Sequence, residues 1–251
     1  MTTKSSILIT GASGGIGRAA AIESANRGAA VAIHYHQNRE RAEATLAALA
    51  GEGHRLYRCD ITDPGAVEEL IDQVEREMDG LDVLVNNAGI SQRYQFDDID
   101  YATWQQTWRK IVDTNLTAAS NLSFCAAKKM IARGGGRIVN VSSRGAFRGE
   151  PLMPWYGASK AGMNAMGQSL AQALGPRGVF VYTVAPGFVE TEMAKTVLAS
   201  AEGDSIRNQS SIGRVAQPEE IAKTIGFLAF EAPEFMTGCI VDVNGASYLR
   251  S

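Results

Sequence analysis

Short runs of apolar residues alternate with longer segments of helical period along almost the whole chain. Residues 6–10 (SILIT), 30–34 (AVAIH), 55–59 (RLYRC), 82–86 (DVLVN), 137–141 (RIVNV), 179–185 (VFVYTVA) and 239–243 (CIVDV) predict strands. Most are too continuously apolar to alternate in and out, as expected of strands covered on both faces. Between them, residues 16–28, 40–53, 66–80, 104–134 and 157–175 carry apolar positions at helical spacing, and several of these segments close on glycine. Regular strand–helix alternation predicts an α/β fold in three layers, doubly wound, with a mostly or wholly parallel seven-stranded sheet and right-handed crossovers. No composition break, fixed-period repeat or low-complexity tract interrupts it, so residues 1–251 read as a single domain.

Composition narrows the class. A hydrophobic fraction of 45% and a charged fraction of 20% fit a globular protein rather than a disordered or fibrous one. The formal net charge is −3 with both signs interspersed, which gives no field to attract nucleic acid or an anionic membrane. Cys59, Cys125 and Cys239 are odd in number and widely spaced, so neither a disulfide framework nor a metal site is expected. No basic, apolar leader precedes the first strand, and no apolar run approaches the ~20 residues of a membrane span. The expectation is a soluble, cytoplasmic protein with no nucleic-acid or membrane partner.

The first predicted strand runs directly into TGASGGIGRAAA. Gly11, Gly15 and Gly17 fall at a strand-to-helix junction, where bare backbone can approach a ligand and free amides at the helix start can face a diphosphate. A Walker phosphate loop is excluded, because Arg18 follows Gly17 where Gly-Lys-Ser/Thr is required. Further along, Tyr156 and Lys160 stand four positions apart on one helical face. A free phenol is a poor base at neutral pH, and an adjacent ammonium lowers its pKa.

These features resemble the short-chain dehydrogenase/reductase family. The glycine spacing with Thr10 in front matches T-G-x-x-x-G-x-G, followed in order by NNAG at 86–89, a DTN ending at Asn115, VSS ending at Ser143, Tyr156-x-x-x-Lys160, and APG at 185–187 with Thr191 beyond. The resemblance spans nearly the whole chain and implies a Rossmann fold binding NAD(P). It implies an oxidoreductase moving hydride between the nicotinamide and a small carbonyl or alcohol substrate. Asn115, Ser143, Tyr156 and Lys160 would form the catalytic set, with Tyr156 as general acid/base and Lys160 lowering its pKa and holding the nicotinamide ribose. Ser142 is the alternative serine, and strand alternation lets only one of the two face the site. Cofactor contacts are expected from Gly11, Ser13, Gly15, Ile16, Gly17, Tyr35, Asp60, Ile61, Asn87, Ala88, Gly89, Tyr156, Lys160, Pro186, Gly187, Val189 and Thr191. Asp60 has a second reading, as the cap of a helix starting near Pro64.

Relatives that use NAD carry an acid at the end of the second strand, where a carboxylate repels a 2′-phosphate. Tyr35 stands there, with no acid at 34–38, which favours NADP(H) and leaves NAD(H) as the alternative. Gly14 occupies the place where many NADP-dependent relatives have a basic residue, leaving His36 and Arg39 as candidate phosphate partners. A substrate loop or lid is expected at about 188–214, with Phe147, Leu152, Met153, Trp155, Phe188 and Met193 as apolar walls. Arg144 and Arg148 either meet an acidic group or are solvated loop charges. The resemblance extends to 3-oxoacyl-carrier-protein reductases and sugar or alcohol dehydrogenases, and implies a homotetramer. A non-catalytic nucleotide sensor of the same fold is the competing class, and the intact catalytic set speaks against it.

Overall fold

A computed structural model of the protein describes residues 4–250. Seven strands, β1 (Ser6–Ile9), β2 (Ala30–Tyr35), β3 (Arg55–Arg58), β4 (Val83–Asn86), β5 (Gly136–Val141), β6 (Val179–Pro186) and β7 (Ile240–Val243), form one sheet in the order β3-β2-β1-β4-β5-β6-β7. Every pairing is parallel. Each strand lies within one residue of its predicted bounds at either end, because continuous apolar runs bounded by polar turns leave little freedom in where a buried strand stops.

Alternation along single strands explains the three layers. Ile7 and Ile9 of β1 join Val31 and Ile33 beneath α1 (Gly15–Asn26) and α10 (Pro218–Phe230), whereas Leu8 faces the opposite side with Leu84 and Ile138. That second side is covered by α3 (Pro64–Glu77) and α5 (Ala118–Ala132), which contribute Leu70, Ile71, Val74, Leu122 and Met130. Helix α2 (Arg39–Ala47) leads into β3, and α7 (Pro154–Leu174) leads into β6.

Two segments differ from the sequence-based expectation. Residues 104–134 are not one helix: α4 (Tyr101–Val112) and α5 are separated by a π-helical turn at Asp113–Thr117. Helix α10 was not predicted. Its Ile-Gly-Phe-Leu-Ala-Phe end carries no polar face to give helical contrast, because the residues around it are buried against α1, β5 and β6. Short helices complete the chain: α6 (Gly145–Arg148), and α8 (Glu192–Leu198) with α9 (Gly203–Arg207) in the expected lid. These two helices enclose a small cluster of Ala194, Leu198, Ile206 and Val215, and a parallel bridge between Val189 and Ala216 joins the two ends of the segment. Among the described residues, no helix is long and apolar enough to cross a membrane.

Candidate active site

The strand order reverses between β1 and β4, and in open parallel sheets ligands bind in the crevice at the carboxyl ends of the strands there. The glycine loop after β1 shapes one wall. Gly11 and Gly15 have φ of +66° and +52°, a left-handed conformation that costs a side-chain-bearing residue stability. A Cβ on Gly17 would collide with the Gly11 carbonyl oxygen and stand 2.5 Å from Asn87 Nδ2. Gly14, the N-cap of α1, makes no side-chain cap, so the amides at the start of this helix are free to face an anion. This cradle fits a dinucleotide diphosphate.

The loop is pinned from three directions. Thr10 Oγ1 accepts from the amides of Asn87 and Ala88, and Asn87 Nδ2 donates to the Thr10 carbonyl at 2.8 Å. The amide of Gly11 donates to His34 Nδ1 at 3.1 Å, while His34 Nε2 lies 3.0 Å from the Cys59 carbonyl. A carbonyl can only accept, so Nε2 carries the proton and His34 is neutral; burial pushes its pKa down to about 4. His34 thus ties the ends of β1, β2 and β3 together, a role that sequence reasoning missed because a histidine inside a strand run looks like filling.

Asp60 settles between its two readings. Asp63, not Asp60, caps α3, accepting from the amides of Gly65 and Ala66. Asp60 instead accepts from the Thr62 amide and hydroxyl, which holds its carboxyl below the ordinary value, and lies 3.7 Å from His36. Ile61 beside it is buried, as is Tyr35 at the end of β2.

The basic residue at the outer end of the cradle is one the sequence did not single out. Arg41, in the first turn of α2, lays its guanidinium over Gly14, where a Cβ would stand 2.6 Å from Nη2. Arg41 and Arg18 line a cavity of about 720 Å³ with Ser13, Gly14, Gly15 and Thr191, and neither makes an ion pair among the described residues. Arg39 instead points to solvent and pairs with Glu43, and His36 is engaged with Asp60. Of the basic residues at this end, Arg41 is therefore the one that lies over the cradle without a carboxylate partner among the described residues.

On the other wall, the four expected catalytic residues converge. The π-helical turn places Asn115 wholly buried, its Oδ1 accepting from the Ile90 amide and its Nδ2 donating to the Ile90 carbonyl and Ser159 Oγ. A Cβ on Gly89 would lie 3.3 Å from Asn115 Oδ1 and 3.4 Å from Lys160 Nζ, so glycine lets the two side chains approach. Lys160 Nζ donates to the Val141 carbonyl at 2.8 Å and stands 5.8 Å from the centre of the Tyr156 ring. Ser142 Oγ turns away to the Lys160 carbonyl, whereas Ser143 Oγ accepts from the Gly145 amide at 3.0 Å and stands close enough to the Tyr156 phenol to favour its ionised form.

The electrostatics differ from the expectation in one respect. Burial raises the Tyr156 phenol above its ordinary value, with the Ser143 hydrogen bond acting in the opposite direction, and burial pushes Lys160 down to about 8. The ammonium is committed to a backbone carbonyl rather than to the phenol, so desolvation outweighs the lowering that the four-residue spacing predicts.

The remaining cofactor candidates close the crevice. Gly187 donates to the Val243 carbonyl and packs so near Asn244 that a Cβ would be 3.0 Å from its Cα. Pro186 accepts from the Arg144 amide, Val189 is held by its bridge to Ala216, and the Thr191 methyl would touch a Cβ on Gly15 at 3.2 Å. Of the expected apolar walls, Trp155 is misplaced: it is 1% exposed, bonds the Gln92 carbonyl, and packs edge-on against Tyr94 and Trp104. Phe188 packs against the cluster enclosed by α8 and α9, and Phe147 stacks on Tyr248.

A family model described as enoyl-(acyl carrier protein) reductase matches residues 11–246. The 3-oxoacyl-acyl-carrier-protein reductase FabG of Staphylococcus aureus is 34% identical over 251 residues, covering 99% of this chain and 100% of that protein. A solved structure from Beutenbergia cavernae, provisionally described as an NAD(P)-dependent gluconate 5-dehydrogenase with NADP bound at low occupancy, matches with a TM-score of 0.89. Its identity is 30%, with 98% of this chain and 97% of that chain covered. A short-chain type dehydrogenase/reductase from Mycobacterium marinum matches with a TM-score of 0.87 at 30% identity, over 97% and 95% of the two chains.

Proposed function

The chain belongs to the short-chain dehydrogenase/reductase family and is an NAD(P)-dependent oxidoreductase; from that premise we propose that it is a carbonyl reductase using NADP(H), with Tyr156 as the proton donor. The observation that carries this reading is the convergence of Ser143, Tyr156, Lys160 and Asn115 beside an intact glycine cradle. Bound there, a nicotinamide cofactor supplies or accepts the hydride.

Ser143 Oγ holds the substrate oxygen next to the phenol. Tyr156 gives that oxygen its proton during reduction and takes it back during oxidation. A phenol raised by burial is protonated at neutral pH, which suits the reductive direction. Lys160 returns the proton to Tyr156 and reaches the nicotinamide ribose once it leaves the Val141 carbonyl. Asn115 is the positioning residue that couples the π-helical turn to the loop after β4 and to the Lys160 side of the cleft. Gly11, Ser13, Gly15, Ile16 and Gly17 hold the diphosphate; Asn87, Ala88, Gly89, Asp60, Ile61 and Tyr35 line the adenosine side; Pro186, Gly187, Val189 and Thr191 hold the carboxamide end.

Arg41 supports the choice of NADP(H), because a guanidinium free of carboxylates over Gly14 suits a 2′-phosphate. The bound NADP in the Beutenbergia cavernae relative points the same way. The lid, residues 188–214, closes over the substrate and is tied to the loop after β4 by an Arg93–Glu202 pair at 2.8 Å. The protein works in the cytoplasm as a homotetramer; Tyr101, Trp108 and Phe124 stand exposed on α4 and α5, and β7 offers an unpaired sheet edge.

The test is a panel of ketones, aldehydes, oxo acids and acyl thioesters with NADPH and NADH. Turnover on an active substrate should fall by about 10²- to 10⁴-fold in Tyr156→Phe with cofactor affinity retained. Tight cofactor binding with no turnover across the panel would instead favour the sensor reading.

A further inference from the structure

Arg144 follows Ser143 directly, and it is not the solvated loop charge that its sequence setting allows. It is 3% exposed, and among the described residues no carboxylate lies within 4.0 Å of it. Its guanidinium packs over the Phe188 ring at 5.1 Å and donates to Gln209 Oε1 at 2.5 Å. Arg148 donates to the same oxygen at 3.1 Å. Two cations therefore converge on one neutral acceptor, an arrangement that leaves most of the Arg144 donors, and its charge, without a carboxylate partner.

Two further observations point to a ligand. Arg144 and Phe188 line a cavity of about 190 Å³ with Asn244 and Ser247, and Ser247 Oγ is buried there without a hydrogen-bond partner. Glu150 lies 3.8 Å from Arg148 Nε, and its Oε1 and Ser143 Oγ lie 3.2 and 3.3 Å from the point where a Cβ on Gly145 would stand. Gly145 therefore separates Glu150, the partner of Arg148, from Ser143 by little more than one side-chain width, and Arg144 itself follows Ser143 in the chain. Around this cavity Arg148 is matched by Glu150, Arg214 by Glu220 and Asp242 by Arg250, so Arg144 alone leaves one net positive charge, which matches a monoanion better than a phosphate dianion.

We propose that Arg144, assisted by Arg148, binds a carboxylate on the substrate, so that the enzyme is selective for oxo acids or hydroxy acids over neutral carbonyl compounds. The inference rests on the carbonyl-reductase reading of the same site. Gln209 holds the guanidinium pair from the lid, so lid closure and carboxylate capture occur together.

Steady-state rates with NADPH on short-chain oxo acids, their methyl esters, and ketose phosphates test this. A charge-assisted pair in a desolvated site should favour acid over matched ester by roughly 10- to 100-fold in kcat/KM. Arg144→Gln should bring that ratio close to one, and Arg144→Lys should restore part of it. Gln209→Glu is the second variant: it supplies an internal carboxylate to both arginines, adds no buried cation problem, and should also abolish the ratio. Because the readout is a ratio on one enzyme preparation, partial unfolding lowers both rates and leaves it unmoved. Esters and acids reduced equally well by the wild type, or an acid preference retained in both Arg144→Gln and Gln209→Glu, would overturn the inference while leaving the reductase reading intact. A preference for ketose phosphates over oxo acids would overturn the carboxylate assignment. Absence of turnover on every compound, in wild type and Tyr156→Phe alike, counts against the reductase reading and the inference together.

Discussion

A single neutral histidine couples three strands to the cofactor loop, and its titration should be visible in the stability of the protein. His34 has its folded pKa near 4 and an ordinary unfolded value near 6.5, with His36 and Asp60 as its titratable neighbours. The unfolded chain therefore binds more protons between those values, so stability is full above about pH 6.5 and falls as pH drops toward 4. For one group the loss is at most ~3 kcal/mol. Urea unfolding midpoints between pH 7 and about pH 4.5 should show this slope, and His34→Gln should flatten it at the cost of lower stability throughout. Arg41 makes a second residue-scale prediction: Arg41→Ala should raise KM for NADPH by roughly 10- to 100-fold and move KM for NADH far less. Equal effects on the two cofactors would remove Arg41 from phosphate recognition. Arg41 was not legible in the sequence because its reach back to Gly14 depends on how α2 packs beside α1.

At the scale of elements, close approaches rather than propensities set the site. Gly17 lies inside α1, where glycine is otherwise unfavourable, and is required by the Gly11 carbonyl and Asn87 above it. Gly17→Ala should cost about 1–3 kcal/mol and weaken NADPH binding. Gly65 in the first turn of α3 is the control, because a Cβ there would meet only Asp63 Oδ1 at an ordinary 3.4 Å. Gly65→Ala should be neutral or stabilise by about 0.4–1 kcal/mol. Thermal melts with and without NADPH separate the two cases. The π-helical turn at 113–117 interrupts what the sequence pattern predicts as one continuous helix over 104–134. Its cause is tertiary: Asn115 gives its amide group to Ile90 and Ser159, and the helix widens locally to present it.

For the whole molecule, the exposed aromatic side chains of α4 and α5 and the free edge of β7 are surfaces that a monomer would leave in water. Sedimentation should find a tetramer at micromolar concentration. Phe124→Glu, which places a charge on the 66%-exposed position of α5, should shift the population toward smaller species while far-ultraviolet circular dichroism is retained. A wild-type monomer would contradict the assembly proposed here.

The seven strands, their burial on both faces and the spacing of the residues proposed as the catalytic set were determined by local sequence. Continuous apolar runs can only be buried on both faces, and glycine, tyrosine and lysine at fixed spacing on a strand-to-helix junction and a helix carry their chemistry with them. Tertiary structure decided what depends on distant chain segments meeting. It laid Arg41 over Gly14 while pairing Arg39 with Glu43 and His36 with Asp60, moved Trp155 from pocket wall to core, and set desolvation against the lysine's pull on Tyr156. It also buried Arg144 beside Ser143 with no carboxylate partner. Charge and burial act through space, and two residues adjacent in a loop acquire their electrostatic meaning only from the segments folded against them.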